Sequence, residues 1–184
     1  MNNIFYTSDW HLYHKNIKEF CPHSRKGDTP EQMSEMILEN IFKQTRPGDI
    51  IYNLGDVSFG TAEQTTTALT KINKMRIVHH LILGNHDHRI KKDNNIGQLF
   101  DSVDNLKTIN VNKQAVVLCH FPMRSWDRMH HGSFMLHGHT HGSLSTPGRI
   151  MDVGIDTRPC GDMTLWSHEE IVKILSTQQP GWHH

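Results

Sequence analysis

One pattern constrains this chain more than any other: an apolar run followed at once by polar side chains able to bind a metal. It occurs five times. Ile4-Phe5-Tyr6-Thr7 leads to Asp9-Trp10-His11, and Ile50-Ile51-Tyr52-Asn53-Leu54 leads to Gly55-Asp56. Ile77-Val78-His79-His80-Leu81-Ile82-Leu83 leads to Gly84-Asn85-His86-Asp87. Val116-Val117-Leu118-Cys119 leads to His120, and Phe134-Met135-Leu136 to His137-Gly138-His139-Thr140-His141. Short apolar runs of this kind read as buried strands. In open α/β sheets, ligands collect beyond the carboxyl ends of strands.

The order of elements fits such a sheet. Strands are expected over 3–8, 49–54 and 77–83. A short helix is expected near 15–20, and a longer one over 30–45. There Thr29 and Gln32 form a capping-box pattern, Pro30 takes the first helical position, and Met33, Met36, Ile37 and Ile41 make an apolar face. Thr61 and Gln64 repeat the capping pattern for a helix to about Asn73. Strand–helix–strand–helix–strand order predicts a parallel core with right-handed crossovers. Beyond residue 95 the expected elements are mostly β, over 107–111, 115–120, 133–137 and 149–155. A last helix is expected over 168–175, capped by Ser167 and Glu170, with Ile171, Ile174 and Leu175 as its face. Segments 121–132 and 140–149 are irregular enough to read as functional loops.

The strong donors are Asp9, His11, Asp56, Asn85, His120, His139 and His141. Imidazole, carboxylate and amide oxygen suit Mn, Fe, Zn or Ni, and the absence of thiolate from the set argues against a cysteine-rich structural zinc site. Seven donors exceed one tetrahedral ion; if Asp56 bridges, they divide into two sets of four. Two ions so placed can clamp the attacking and leaving oxygens of a phosphoryl displacement.

The remaining composition sets limits. The 184 residues suit a single domain over 1–184. Lys plus Arg and Asp plus Glu balance at 19 each, so binding to long duplex nucleic acid or to a membrane surface is not expected. The three cysteines, Cys21, Cys119 and Cys160, do not make a disulfide framework. With no signal pattern and no membrane-length apolar run, a cytoplasmic protein is expected. Of the 16 histidines, His183 and His184 read as a tail, native or appended, and His14, His79 and His80 carry no pattern that demands chemistry. Oligomeric state is not legible.

In order, Asp9/His11, Gly55/Asp56, Gly84 to Asp87, His120 and Gly138/His139/His141 resemble the pattern of the calcineurin-like metallophosphoesterase family. The likeness extends to its small stand-alone bacterial and phage phosphoesterases. The resemblance implies an α/β fold, a four-layer α/β/β/α sandwich. It implies two divalent metal ions, manganese ahead of Fe, Zn or Ni: Asp9, His11 and His141 would hold one, Asn85, His120 and His139 the other, with Asp56 bridging. It implies a hydrolase in which a metal-bound hydroxide attacks a phosphate ester in line. His86 would be the non-ligand histidine that protonates the leaving oxygen, oriented by Asp87. A phosphodiester is the favoured substrate, with cyclic nucleotides as candidates. A phosphomonoester, or a non-catalytic binding module on the same fold, is the alternative. One departure matters: Gly-Asp here continues Val-Ser-Phe-Gly, without the Asp and Arg of the phosphoprotein phosphatases. The cation contacting substrate is therefore open among Arg89, Arg124, Arg128 and Arg149, each of which is otherwise a solvated surface residue. Trp126 either stacks on a base or anchors its loop.

Overall fold

The computed structural model describes residues 2–181, so the tail histidines His183 and His184 lie outside the described residues. Strand β1 (Ile4–Thr7) runs into a loop and the short helix α1 (Ile17–Phe20). Helix α2 (Pro30–Gln44) follows, then β2 (Ile50–Asn53), α3 (Ala62–Lys74) and β3 (Val78–Ile82). Two short helices, α4 (His88–Lys92) and α5 (Asn94–Gly97), lead to β4 (Ser102–Asp104). Then come β5 (Leu106–Val111), β6 (Gln114–Cys119), β7 (Phe134–His137) and β8 (Ile150–Asp152). The strand β9 (Trp166–Ser167) and helix α6 (His168–Leu175) complete the described elements.

These strands make two sheets. The first has the order β4-β3-β2-β1-β9, parallel except for β9; the second is β5-β6-β7-β8, parallel except for β5. Alternation along the strands decides the layers. Phe5, Ile51 and Leu81 face α2 and α3, packing on Met33, Ile37, Leu38, Ile41, Leu69 and Ile72. Their neighbours Tyr6, Tyr52 and Ile82 face the other way, onto Val116, Leu118, Phe134 and Leu136 of the second sheet. Helix α6 adds Ile171 and Leu175 to that middle core. The outer face of the second sheet, Val117, Met135 and Ile150, is covered by Trp126 and Met129 of segment 121–132, which includes a single 3-10 turn at Met129–His131. The expected α/β sandwich is therefore present, with its outermost layer reduced to this segment.

Local chemistry explains the boundaries. Thr61 and Gln64 cap α3 reciprocally, as do Ser167 and Glu170 for α6. Such an N-cap is typically worth about 1 kcal/mol. At α2 only half of the expected box forms: Thr29 accepts from the Gln32 N–H, but the Gln32 side chain takes the Asp28 N–H instead. Two expected core residues are corrected. Met36 and Ile174 are 36% and 37% exposed, because the buried stripes are Met33, Ile37, Leu38 and Ile41 in α2, and Ile171 and Leu175 in α6. Among the described residues no helix is long and apolar enough to cross a membrane.

Candidate metal centre

All seven expected donors come from chain just past the ends of β1, β2, β3, β6 and β7. The loops are laced together before any side chain is considered. The Asp9, His11 and Leu12 N–H groups donate to the Gly55, Asp56 and Val57 carbonyls, so the first two loops run on together after their strands end. The His139 N–H donates to the Asp9 carboxylate, and Ile155 N–H to the Ser8 carbonyl, joining loops of the first sheet to those of the second.

The backbone is strained where the donors sit. Asp9, His11, Asp56, His139 and His141 all have φ between +46° and +69°. Non-glycine residues are uncommon in that left-handed region, and such strain gathers at functional sites. Two glycines make room for it. A Cβ on Gly84 would stand 2.2 Å from Asp56 Oδ1, and one on Gly138 would stand 1.9 Å from Ser8 Oγ.

The donors form two groups. Asp9, His11 and His141 offer ligand atoms within 4.8 Å of one another, and so do Asp56, His120 and His139. His11 Nε2 lies 3.6 Å from Asp9 Oδ1 and 3.8 Å from Asp56 Oδ2. His120 Nε2 lies 3.5 Å from Asp56 Oδ2 and 3.0 Å from Asn85 Oδ1. Asp56 therefore stands between the groups. Ligands at about 2.0–2.2 Å from one cation lie about 3.0–3.6 Å apart, close to these spacings. His11 supplies a further sign of fit: it is 4% exposed, yet neither ring nitrogen has a hydrogen-bond partner among the described residues. Buried nitrogens are normally satisfied, and a cation would take up Nε2, the one facing Asp9 and Asp56. The donor set thus suits divalent cations.

Burial alone would raise the Asp9 and Asp56 carboxyls, but neighbouring imidazoles outweigh it and hold both below the ordinary range. Burial also works against a charged His141, yet hydrogen bonding by Asp156 and the nearby Cys21 and Asp9 push it up to about 10.

At His120 and His141 the ring nitrogen facing away from the cluster has a partner. His120 Nδ1 donates to the Leu54 carbonyl at 2.6 Å, since a carbonyl can only accept, and Nε2 is left for the cluster. His141 Nδ1 donates to Asp156 at 2.7 Å. Asp156 in turn meets Arg25, whose side chain is 0% exposed: Nε donates to Oδ1 at 2.7 Å and Nη2 to Oδ2 at 2.6 Å. The same guanidinium donates to the Trp10 and Asp9 carbonyls. Removing one partner of a buried pair like this typically costs about 3–5 kcal/mol, because the other charge is left uncompensated.

Several expectations are corrected. Asp87 does not orient His86: its carboxylate accepts the N–H groups of Asp56, Val57 and Gly84 at 2.8–2.9 Å, and it is 2% exposed. It pins the Gly-Asp turn to the Gly-Asn-His turn. Trp126 is not free to stack on a base: it is 6% exposed, and its Nε1 donates to Ser133 Oγ. Arg149 is occupied too, donating to the Gln178 and Gly132 carbonyls. Arg89 is exposed on α4, and Arg128 is exposed beside Asp127. Arg124 borders a cleft of about 730 Å³ with Met123, Leu144 and Pro147. The His86 side chain is exposed, and its backbone N–H donates to Asp56 Oδ1.

The structure adds residues that the sequence pattern passed over. Phe59 stacks on the His11 ring at 5.1 Å and lies 4.8 Å from His86, while His14 sits against Phe59 at 4.2 Å. Phe121 lies against His120 and His139. Asp156 had a usable signal, because Ile150-Met151-Asp152-Val153-Gly154-Ile155-Asp156 is a sixth apolar run ending in a carboxylate. Arg25, in an irregular loop, had none.

A solved structure shares this fold, and sequence relatives match at low identity. The Gene 66 protein of Mycobacterium phage L5 is 28% identical over 184 residues, covering 85% of this chain and 87% of its own. The crystal structure of AQ665, a protein of unknown function from Aquifex aeolicus, matches at TM-score 0.73 and 21% identity, covering 95% of this chain and all of that one. The two share a fold. Yfce, a phosphoesterase from E. coli, aligns at TM-score 0.48 and 16% identity, over 83% of this chain and 78% of its own. No protein-family model matches the chain.

Proposed function

We propose that this chain, as one domain, is a metal-dependent phosphoesterase that hydrolyses phosphodiesters, with cyclic nucleotides among the candidate substrates. The observation that carries the reading is the convergence of six donors into two groups that meet at Asp56, with Asn85 joined through His120, and five of the seven in left-handed backbone. Asp9, His11 and His141 would hold one divalent cation, Asn85, His120 and His139 the other, and Asp56 both. Manganese is the first candidate and Fe, Zn or Ni the others, since the carboxylate and amide oxygens suit the former and the imidazoles the latter. Such cations supply Lewis acidity toward the phosphoryl oxygens and acidify a nucleophile at neutral pH.

The chain's own residues do the rest. Asp87 fixes the two turns so that Asp56 and Asn85 keep their spacing. His86, solvent-facing and tied by its N–H to Asp56, would give a proton to the leaving oxygen. Phe59 covers His11 on the side toward His86 and limits water there.

The test loads stripped protein with Mn, Ni or Zn and measures bound metal. Each form is then assayed on p-nitrophenyl phosphate, bis-p-nitrophenyl phosphate and 2′,3′- and 3′,5′-cyclic nucleotides. Two ions per chain and faster turnover of diesters are expected. Full activity with one ion would end the bridged arrangement, and preference for the monoester would reverse the substrate assignment.

A further inference from the structure

Resting on the metal-centre reading above, we propose that Asp156, itself held by Arg25, is a positioning residue: it fixes the His141 ring so that Nε2 faces Asp9 and His11, and thereby sets cation affinity in that half of the centre alone.

The geometry is specific. His141 Nδ1 is 2.7 Å from Asp156 Oδ2, while its Nε2 is on the side of Asp9 Oδ1, 3.8 Å away. The ring is thus held from behind, and the hydrogen bond dictates which nitrogen keeps a proton and which is free to bind. Arg25 extends the hold to the other end of the half-site. Its guanidinium bonds both Asp156 oxygens and also the carbonyls of Asp9 and Trp10. One buried cation therefore sets the spacing between a donor from the first loop and a donor from the fifth, 132 residues apart in the chain. Among the described residues no ion pair of this kind stands behind His120, whose outer nitrogen uses the Leu54 carbonyl.

A rival arrangement must be weighed, since Cys21, His141 and Asp156 also lie close enough to hold a cation of their own. Two facts oppose it. Asp156 already accepts from Ser24 Oγ, Arg25 Nε, Arg25 Nη2 and His141 Nδ1, which fills the roughly four lone-pair sites of a carboxylate. The Arg25 charge, in direct contact with that carboxylate, also repels a second cation.

The experiment titrates Mn into stripped wild-type, Asp156→Ala, Asp156→Asn and Cys21→Ser proteins by calorimetry with chelator competition, and follows thermal unfolding in parallel. Asp156→Ala should weaken one of the two ions about 10–100-fold, the usual effect of losing an outer-sphere partner, and leave the other unchanged. Asp156→Asn keeps an acceptor for His141 Nδ1 and should restore part of that loss. Cys21→Ser should bind both ions as wild type does. Should Asp156→Ala fail to fold, Asp156→Asn still gives the answer: a selective loss at one ion supports the proposal, and two wild-type affinities overturn it. Equal weakening of both ions would mean a general structural role and would also overturn it. Loss of an ion in Cys21→Ser would favour the thiolate site instead. If wild-type protein takes up no ion, the metal-centre reading itself falls, and a wild-type protein with two ions beside an unaltered Asp156→Ala removes only this inference.

Discussion

On the Asp9, His11 and His141 side of the centre, the outer imidazole nitrogen of His141 meets a carboxylate locked to a buried arginine; on the Asp56, His120 and His139 side, that of His120 meets a backbone carbonyl. Both devices fix a ring and leave Nε2 facing the donors. They differ in what sustains them. The Leu54 carbonyl is placed by β2 and the loop that continues it, so the hold on His120 comes from the backbone of the first sheet. The Asp156 carboxylate depends on an ion pair between two loops that have no strand of their own. One half is built from backbone and the other from charge, and substitutions should separate them.

The largest effect should come where the halves meet. Asp56 Oδ2 faces both His11 and His120, so Asp56→Asn should weaken both ions and cost more activity than Asp9→Asn, which touches one. The loss should exceed the roughly 10–100-fold expected from an outer partner. Gly84→Ala should approach it without removing any donor, because the new Cβ would fall 2.2 Å from Asp56 Oδ1. Metal analysis and turnover of a diester check both. A Gly84→Ala protein with two ions and full turnover would mean that the close packing of these turns is not needed.

Much of this arrangement was legible because strand ends and donor residues are local in sequence. The seven donors follow five apolar runs, and β-alternation then assigns the neighbours to one core or the other. What escaped depends on contacts that spacing cannot encode. Arg25 reaches Asp156 across 131 residues, from a loop without periodicity. Asp87 misled by adjacency: next to His86, it was expected to orient that ring, but the turn brings its carboxylate back onto the Gly84 N–H three residues earlier and onto the Asp56 and Val57 N–H groups. For Trp126 the sequence left two readings, and burial against the outer face of the second sheet decided between them. Strands β4 and β9 escaped because runs of three and two residues carry no usable alternation.

His86 belongs to neither half, and that gives the next test. If it delivers a proton, His86→Ala should slow hydrolysis of a substrate with an alkoxide leaving group by about 10²–10⁴-fold. The loss should be much smaller for a p-nitrophenolate, which departs without protonation, and both ions should remain. Equal losses on the two kinds of substrate would leave only an electrostatic role. Loss of one ion would place His86 among the ligands and redraw both halves.

The smallest effect concerns a histidine with neither device behind it. His79 lies in β3, fully buried between the Trp10 and Phe100 rings, and neither of its ring nitrogens has a hydrogen-bond partner among the described residues. An unsatisfied buried polar group costs about 1–3 kcal/mol, and a hydrophobic replacement of similar size usually costs less than about 1.5 kcal/mol in shape. His79→Leu should therefore stabilise the protein by about 1 kcal/mol near neutral pH while leaving metal content unchanged. The pH dependence sharpens this. Burial, reinforced by His80, pushes His79 down to about 3 in the folded chain, against about 6.5 when unfolded. Below about pH 6.5 the unfolded chain binds the extra proton and the folded one does not, so wild-type stability falls as the pH drops toward about 3. The variant has no such group and should gain progressively more over wild type through that window. Urea unfolding at about pH 7.5 and about pH 5 measures both terms. A leucine variant less stable than wild type at both would mean that this ring, like those of His120 and His141, has a partner that holds it.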